Sequence, residues 1–179
     1  MFDIVLYGDP ILRKKAKPVT VFDKKLKAFL DEMTETMMEF DGLGLAAPQV
    51  GDSRRIVVID TTKGEAPPIA LINPEFTFKS EELEEREEGC LSFPDLHLDI
   101  KRPAVVSVKA FDQNGDEFTI EKADGLLCRA FQHEIDHCDG LLIIDQVSLL
   151  QRKLLSGRLK KISAMGPGRP APSRKAKAV

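Results

Sequence analysis

Two imidazoles that could grip a metal and a carboxylate that could move a proton fall within five residues: His133, His137 and Glu134, in the run His133-Glu134-Ile135-Asp136-His137. On an α-helix, four residues turn through about 400° and rise roughly 6 Å, so the two imidazoles project from one face, one turn apart. Such a pair can grip a single ion. Glu134 stands about 100° round from His133, near enough to reach a water on that ion without being a ligand. Two His on a metal with a Glu as general base is the HExxH arrangement of metal-dependent hydrolysis. Leu126, Leu127, Ala130, Phe131 and Ile135 leave the same helix apolar over much of its circumference, so it is expected to be buried. Ionisable groups on a buried helix need partners, because unpaired polar groups inside a protein cost several kcal/mol. A metal would be such a partner.

A catalytic site of this kind needs three protein ligands and one open position. No Glu follows Glu134, which excludes a downstream glutamate as the third ligand. The HExxHxxGxxH pattern also fails, since Gly140 is in place but position 143 is Ile143. Cys138 points about 100° away from its neighbour His137, and Cys128 lies about 140° round from His133, so neither joins the pair without breaking the helix. Both are expected to be packing residues. The remaining donors lie upstream: Cys90, His97 or a carboxylate. Cys90 is the preferred one, because a thiolate is a strong soft ligand and Gly89 before it permits close approach.

A second group of residues, Gly42-Leu43-Gly44-Leu45-Ala46-Ala47-Pro48-Gln49-Val50-Gly51, is rich in small side chains. Such a run lets backbone come close to a strand or a ligand. Gln49 offers an amide donor for an oxyanion. The run lacks the GxxxxGK[ST] pattern of a phosphate loop.

The elements that must position these residues follow from periodicity. Leu26, Phe29, Leu30, Met33, Met37 and Phe40 recur at helical spacing, which predicts a helix over 19–40 with Thr20 and Asp23 at its start. Residues 55–60 and 69–72 are short β-branched strands separated by a Pro-containing loop. The acidic run before Glu88, from Glu81, reads as a solvated strand or loop face. Residues 104–111 and 117–121 flank Asn114-Gly115, a strong hairpin signal. Asp124 and Gly140 bracket the metal helix. A last helix over 148–162 carries a stripe of Leu150, Leu154, Leu155, Leu159 and Ile162. The expectation is an α+β domain over 1–163, with antiparallel sheets packed around a central metal-binding helix and flanked by N-terminal and C-terminal helices. Residues 164–179 are too poor in apolar side chains to fold and form a basic tail.

Composition narrows the class. The chain has 179 residues, 42% hydrophobic, with 6% aromatic residues and no Trp, which disfavours a base-stacking nucleic-acid surface. All 29 Asp and Glu lie in residues 1–150 beside 17 of the 26 Lys and Arg, whereas 151–179 holds nine basic residues and no acid. No apolar run approaches the roughly 18 residues of a membrane span, and the first residues lack a basic-then-apolar leader. Three Cys are too few and too scattered for a disulfide framework. A cytoplasmic protein without membrane association is expected.

Three blocks in this order, GLGLAAPQ at 42–49, EGCLS at 88–92 and QHEIDH at 132–137, resemble the signature motifs of bacterial peptide deformylases. The resemblance extends over roughly residues 3–162. It implies removal of the formyl group from N-formylmethionyl nascent polypeptides, with release of formate. It implies Cys90, His133 and His137 as ligands of ferrous iron, with zinc, nickel or cobalt as substitutes, and Glu134 as acid/base. Gln49 and the backbone N–H of Leu91 match the groups that polarise the formyl oxygen. Gly44 and Gly89 match backbone positions of the peptide groove, and Leu43, Leu126 and Ala130 match the methionine pocket. Competing functions are another metal-dependent amidase or peptidase, and a non-catalytic metal protein at the ribosome. Arg158, Lys160, Lys161, Arg169, Arg174, Lys175 and Lys177 form a basic segment suited to salt-dependent contact with ribosomal RNA.

Overall fold

The computed structural model describes residues 1–166, so most of the expected basic tail lies outside the described residues. Strand β2 (Ile56–Ile59) shows why the core forms as it does. All four of its residues are buried, the mark of a strand covered on both faces. Ile56 and Val58 join one apolar cluster with Leu26, Leu30, Met33 and Met37 of helix α1 (Lys24–Glu39). Val57 and Ile59 join another with Ala130, Phe131 and Ile135 of helix α2 (Gly125–Cys138). The period-two alternation of a strand therefore places the two long helices on opposite faces of one sheet.

That sheet is antiparallel, in the order β1 (Gly44–Ala46), β2, β3 (Ile69–Lys79), β6 (Val106–Phe111) and β7 (Glu117–Ala123). Val57 pairs with Ala46 on one side and Leu71 on the other. A separate hairpin of β4 (Leu83–Cys90) and β5 (Phe93–Pro103) packs beside α2. The architecture is the α+β arrangement of antiparallel sheets around a central helix.

Several boundaries differ from the sequence expectation, each for a local reason. Helix α1 starts at Lys24, not near residue 19, because Asp23 is the N-cap and accepts the Leu26 N–H at 2.9 Å. Val19 is held extended by Asn73, whose Oδ1 accepts its N–H at 2.7 Å and whose Nδ2 donates to its carbonyl at 2.9 Å. Strand β3 runs on through Asn73-Pro74 by a bulge in which Asn73 takes φ 54°. Asp124 occupies the N-cap position of α2, but its side chain makes no capping bond. The C-terminal helix is divided into α3 (Leu149–Leu154) and α4 (Ser156–Ser163), with Ser156-Gly157 at the joint. Only the second half of the leucine stripe reaches the core. Leu159 and Ile162 are buried, whereas Leu150 and Leu154 are 69% and 78% exposed. No helix among the described residues is long and apolar enough to cross a membrane.

Candidate metal centre and active site

Helix α2 carries His133 and His137 on one face, with their rings 5.1 Å apart, as four-residue spacing requires. The hairpin supplies the third donor. Cys90 ends β4, pairs with Phe93 across the turn and places its Sγ 3.3 Å from His137 Nε2. One donor atom from each of Cys90, His133 and His137 lies within 4.8 Å of the others, and all three residues are buried. A tetrahedral ion with bonds of about 2.0 Å to nitrogen and 2.3 Å to sulfur separates those donors by about 3.5 Å. The group fits a metal of this type. His97 lies on β5 opposite Gly89, half-buried, and is not part of the cluster.

The electrostatics agree with a cation site. Burial works against a charge on His133, but the Cys90 sulfur and the Glu88 carboxylate raise its pKa well above the ordinary imidazole value. Burial and the neighbouring His133 hold His137 well below it. The two rings are thus shifted in opposite directions by their surroundings. Burial also pushes the Glu134 carboxyl up to about 7. Glu134 Oε2 and His137 Nδ1 are buried without a hydrogen-bond partner among the described residues. Such atoms need a ligand, a water or an ion.

The Gly-rich loop closes the other side. β1 and the turn after it present Gln49, whose Oε1 accepts the Ala46 N–H at 2.8 Å. That bond fixes the amide so that its NH₂ faces Cys90 Sγ at 3.6 Å and Ser92 Oγ at 3.4 Å. Leu91 occupies the turn between β4 and β5, directly after Cys90. Gly44 lies against Glu134, and Gly89 is buried in β4. Leu43 and Ala130 are buried, while Leu126, 37% exposed, stands at the surface end of α2. Cys128 and Cys138 are buried in the core formed by α2 and the sheet. Burial pushes the Cys138 thiol up to about 12, as suits a packing residue.

Sequence reasoning did not single out the polar shell behind the ligands. Glu88, to which the sequence assigns no role of its own, is fully buried and accepts from Arg102, Arg129 and His133 Nδ1. The available signal was its position. It directly precedes Gly89-Cys90, where the burial pattern of β4 turns from exposed to buried.

A sequence model of the family described as polypeptide deformylase matches residues 1–153. The chain belongs to this family. It is 48% identical to the peptide deformylase of Thermotoga neapolitana over 94% of this chain and 100% of that one. It is 46% identical to the Acidobacterium capsulatum peptide deformylase over 91% and 96% respectively. The crystal structure of a Legionella pneumophila peptide deformylase superposes with a TM-score of 0.86, at 39% identity, over 98% of this chain and 99% of that one. The Thermotoga maritima deformylase structure does so with a TM-score of 0.78, at 49% identity, over 83% and 98%. As a deformylase, the protein is a metal-dependent hydrolase that removes N-terminal formyl groups.

Proposed function

We propose that this deformylase acts on formyl-methionyl nascent polypeptides at one ferrous ion held by Cys90, His133 and His137. Zinc, nickel or cobalt are the expected substitutes. The observation that carries the reading is a set of three buried soft and borderline donors within 4.8 Å, next to a buried carboxylate with an unpartnered oxygen. When bound, the ion supplies Lewis acidity that makes a water nucleophilic near neutral pH.

The remaining work belongs to the chain. Glu134 takes the proton from the attacking water and gives it to the departing amine nitrogen as the formyl C–N bond breaks. Formate and a free amino terminus result. The Gln49 NH₂ and the Leu91 N–H donate to the formyl oxygen as negative charge develops there. Leu43, Leu126 and Ala130 receive the methionine side chain, with Gly44 and Gly89 giving backbone contact to the peptide. A formyl carbon bears hydrogen where acetyl bears methyl, so a narrow site selects it.

The test is Glu134→Gln in metal-loaded protein. Deformylation of formyl-Met-Ala-Ser falls by about 10²–10⁴-fold with metal content unchanged. Retained activity, or a preference for acetyl-Met-Ala-Ser, overturns the mechanism. We further place the enzyme in the cytoplasm and assign the basic end to ribosomal RNA. Lys160 and Lys161 are exposed on α4 in support. Deleting residues 164–179 is expected to weaken ribosome co-sedimentation at low salt, and unchanged co-sedimentation removes that assignment.

A further inference from the structure

The proposed ligands come from two elements, Cys90 from β4 and both His from α2, and the centre exists only while these hold a fixed relation. Arg102, 4% exposed on β5, connects them. Its Nε and Nη2 donate to the two carboxylate oxygens of Glu88 at 2.6 and 3.0 Å, and its Nη1 donates to Asp136 Oδ2 at 2.7 Å. Glu88 lies two residues before Cys90, and Asp136 lies between the two His on α2. One guanidinium therefore spans strand and helix at the ligand-bearing turn of each.

The connection continues to a ligand ring. Glu88 Oε2 lies 3.0 Å from His133 Nδ1. Three arginine N–H groups already converge on this carboxylate, which leaves it an acceptor for His133 Nδ1 and fixes the direction of that ring. His137 has no such partner at Nδ1 among the described residues. Arg129 adds a bond to Glu88 Oε1 at 3.0 Å, but its other bonds go to the carbonyls of Ile100 and Glu84, docking helix on hairpin backbone.

We propose that Arg102 is a positioning residue of the metal centre, orienting His133 through Glu88 and setting the spacing of β4 and α2 through Asp136. The inference rests on Cys90, His133 and His137 being the ligands. Lysine in its place keeps the charge but cannot hold three oxygens in one planar fork.

The experiment measures the cobalt affinity of the folded protein by chelator competition, together with the visible spectrum of the cobalt form. Arg102→Lys is expected to bind cobalt about 10–100-fold more weakly, with an altered spectrum, lowered kcat and a KM within about twofold. Asp136→Asn takes the charge from one arm only and gives a smaller loss in the same direction. Its side chain is 15% exposed, so it decides the matter if Arg102→Lys does not fold. A purely structural role would lower the melting temperature while the folded protein kept its cobalt affinity and spectrum. That result overturns the inference. Cys90→Ala and His133→Ala separate the two levels. If these bind cobalt as tightly as the unaltered protein, the ligand assignment fails. If they lose it while the Arg102→Lys and Asp136→Asn proteins keep it, the positioning role alone fails.

Discussion

A Cβ placed on Gly44 would stand 2.5 Å from Glu134 Oε1 and 2.7 Å from its Cγ. Position 44 is therefore closed to any side chain while Glu134 keeps its place. Gly44→Ala is expected to displace the carboxylate. Because a shift of about 1 Å at a catalytic group can cost on the order of 10²-fold, kcat should fall by about that factor. Steady-state kinetics beside thermal unfolding checks this, and a Gly44→Ala enzyme with full kcat would show that Glu134 has freedom to move.

Gln49 is held by the Ala46 N–H so that its amide donor faces Cys90 and Ser92. Gln49→Leu removes that donor at similar size. The expected outcome is a kcat reduced by about 10²–10³-fold with KM little changed, the signature of a bond strengthened only in the transition state.

Iron beside a thiolate is vulnerable to oxygen. Protein loaded with iron alone should lose activity during aerobic storage, through oxidation of the metal or of Cys90. Mass spectrometry of Cys90 separates the two routes. Full activity after prolonged aerobic storage with iron as the sole metal would refute the expectation.

Asp60, at the end of β2, closes the loop to β3. Its carboxylate accepts the Thr62 N–H, the Thr62 hydroxyl and the Gly64 N–H, each at 2.8 Å, while its own N–H donates to the Leu43 carbonyl at 2.9 Å. Burial raises its pKa, but the Thr62 hydroxyl and the backbone donors outweigh this and hold it below the ordinary value. A depressed carboxyl stabilises the fold above its unfolded pKa of about 3.9, and the contribution is lost as pH falls through the lower folded value. Asp60→Asn should therefore cost about 1 kcal/mol at pH 7, with the gap to the unaltered protein closing below about pH 4. Thermal unfolding across a pH series measures it.

Much of the centre was legible because helix geometry is local. The spacing of His133 and His137 fixes their common face wherever the helix lies, and the pattern of α1 needed only a corrected start at Asp23. The C-terminal helix breaks where the periodicity predicts continuity. Leu150 and Leu154 fit the stripe, yet the break before Ser156-Gly157 leaves them in solvent. Strand β5 was not read at all, because Pro94 and Pro103 interrupt a run of mixed polarity.

The linear chain by itself determined the donor chemistry: two imidazoles and an acid on one buried helix, a Gly-rich loop with an amide, and a short set of upstream donors for the third ligand. Tertiary structure brings one of those donors to the imidazoles. The hairpin register brings Cys90 to the end of β4 against α2, whereas His97, across the ladder from Gly89, stays outside the cluster. It also decided that Glu88, one acid in a charged run, lies buried between two arginines and His133. Both outcomes depend on contacts with α2, more than 40 positions away in the chain, which local periodicity does not encode.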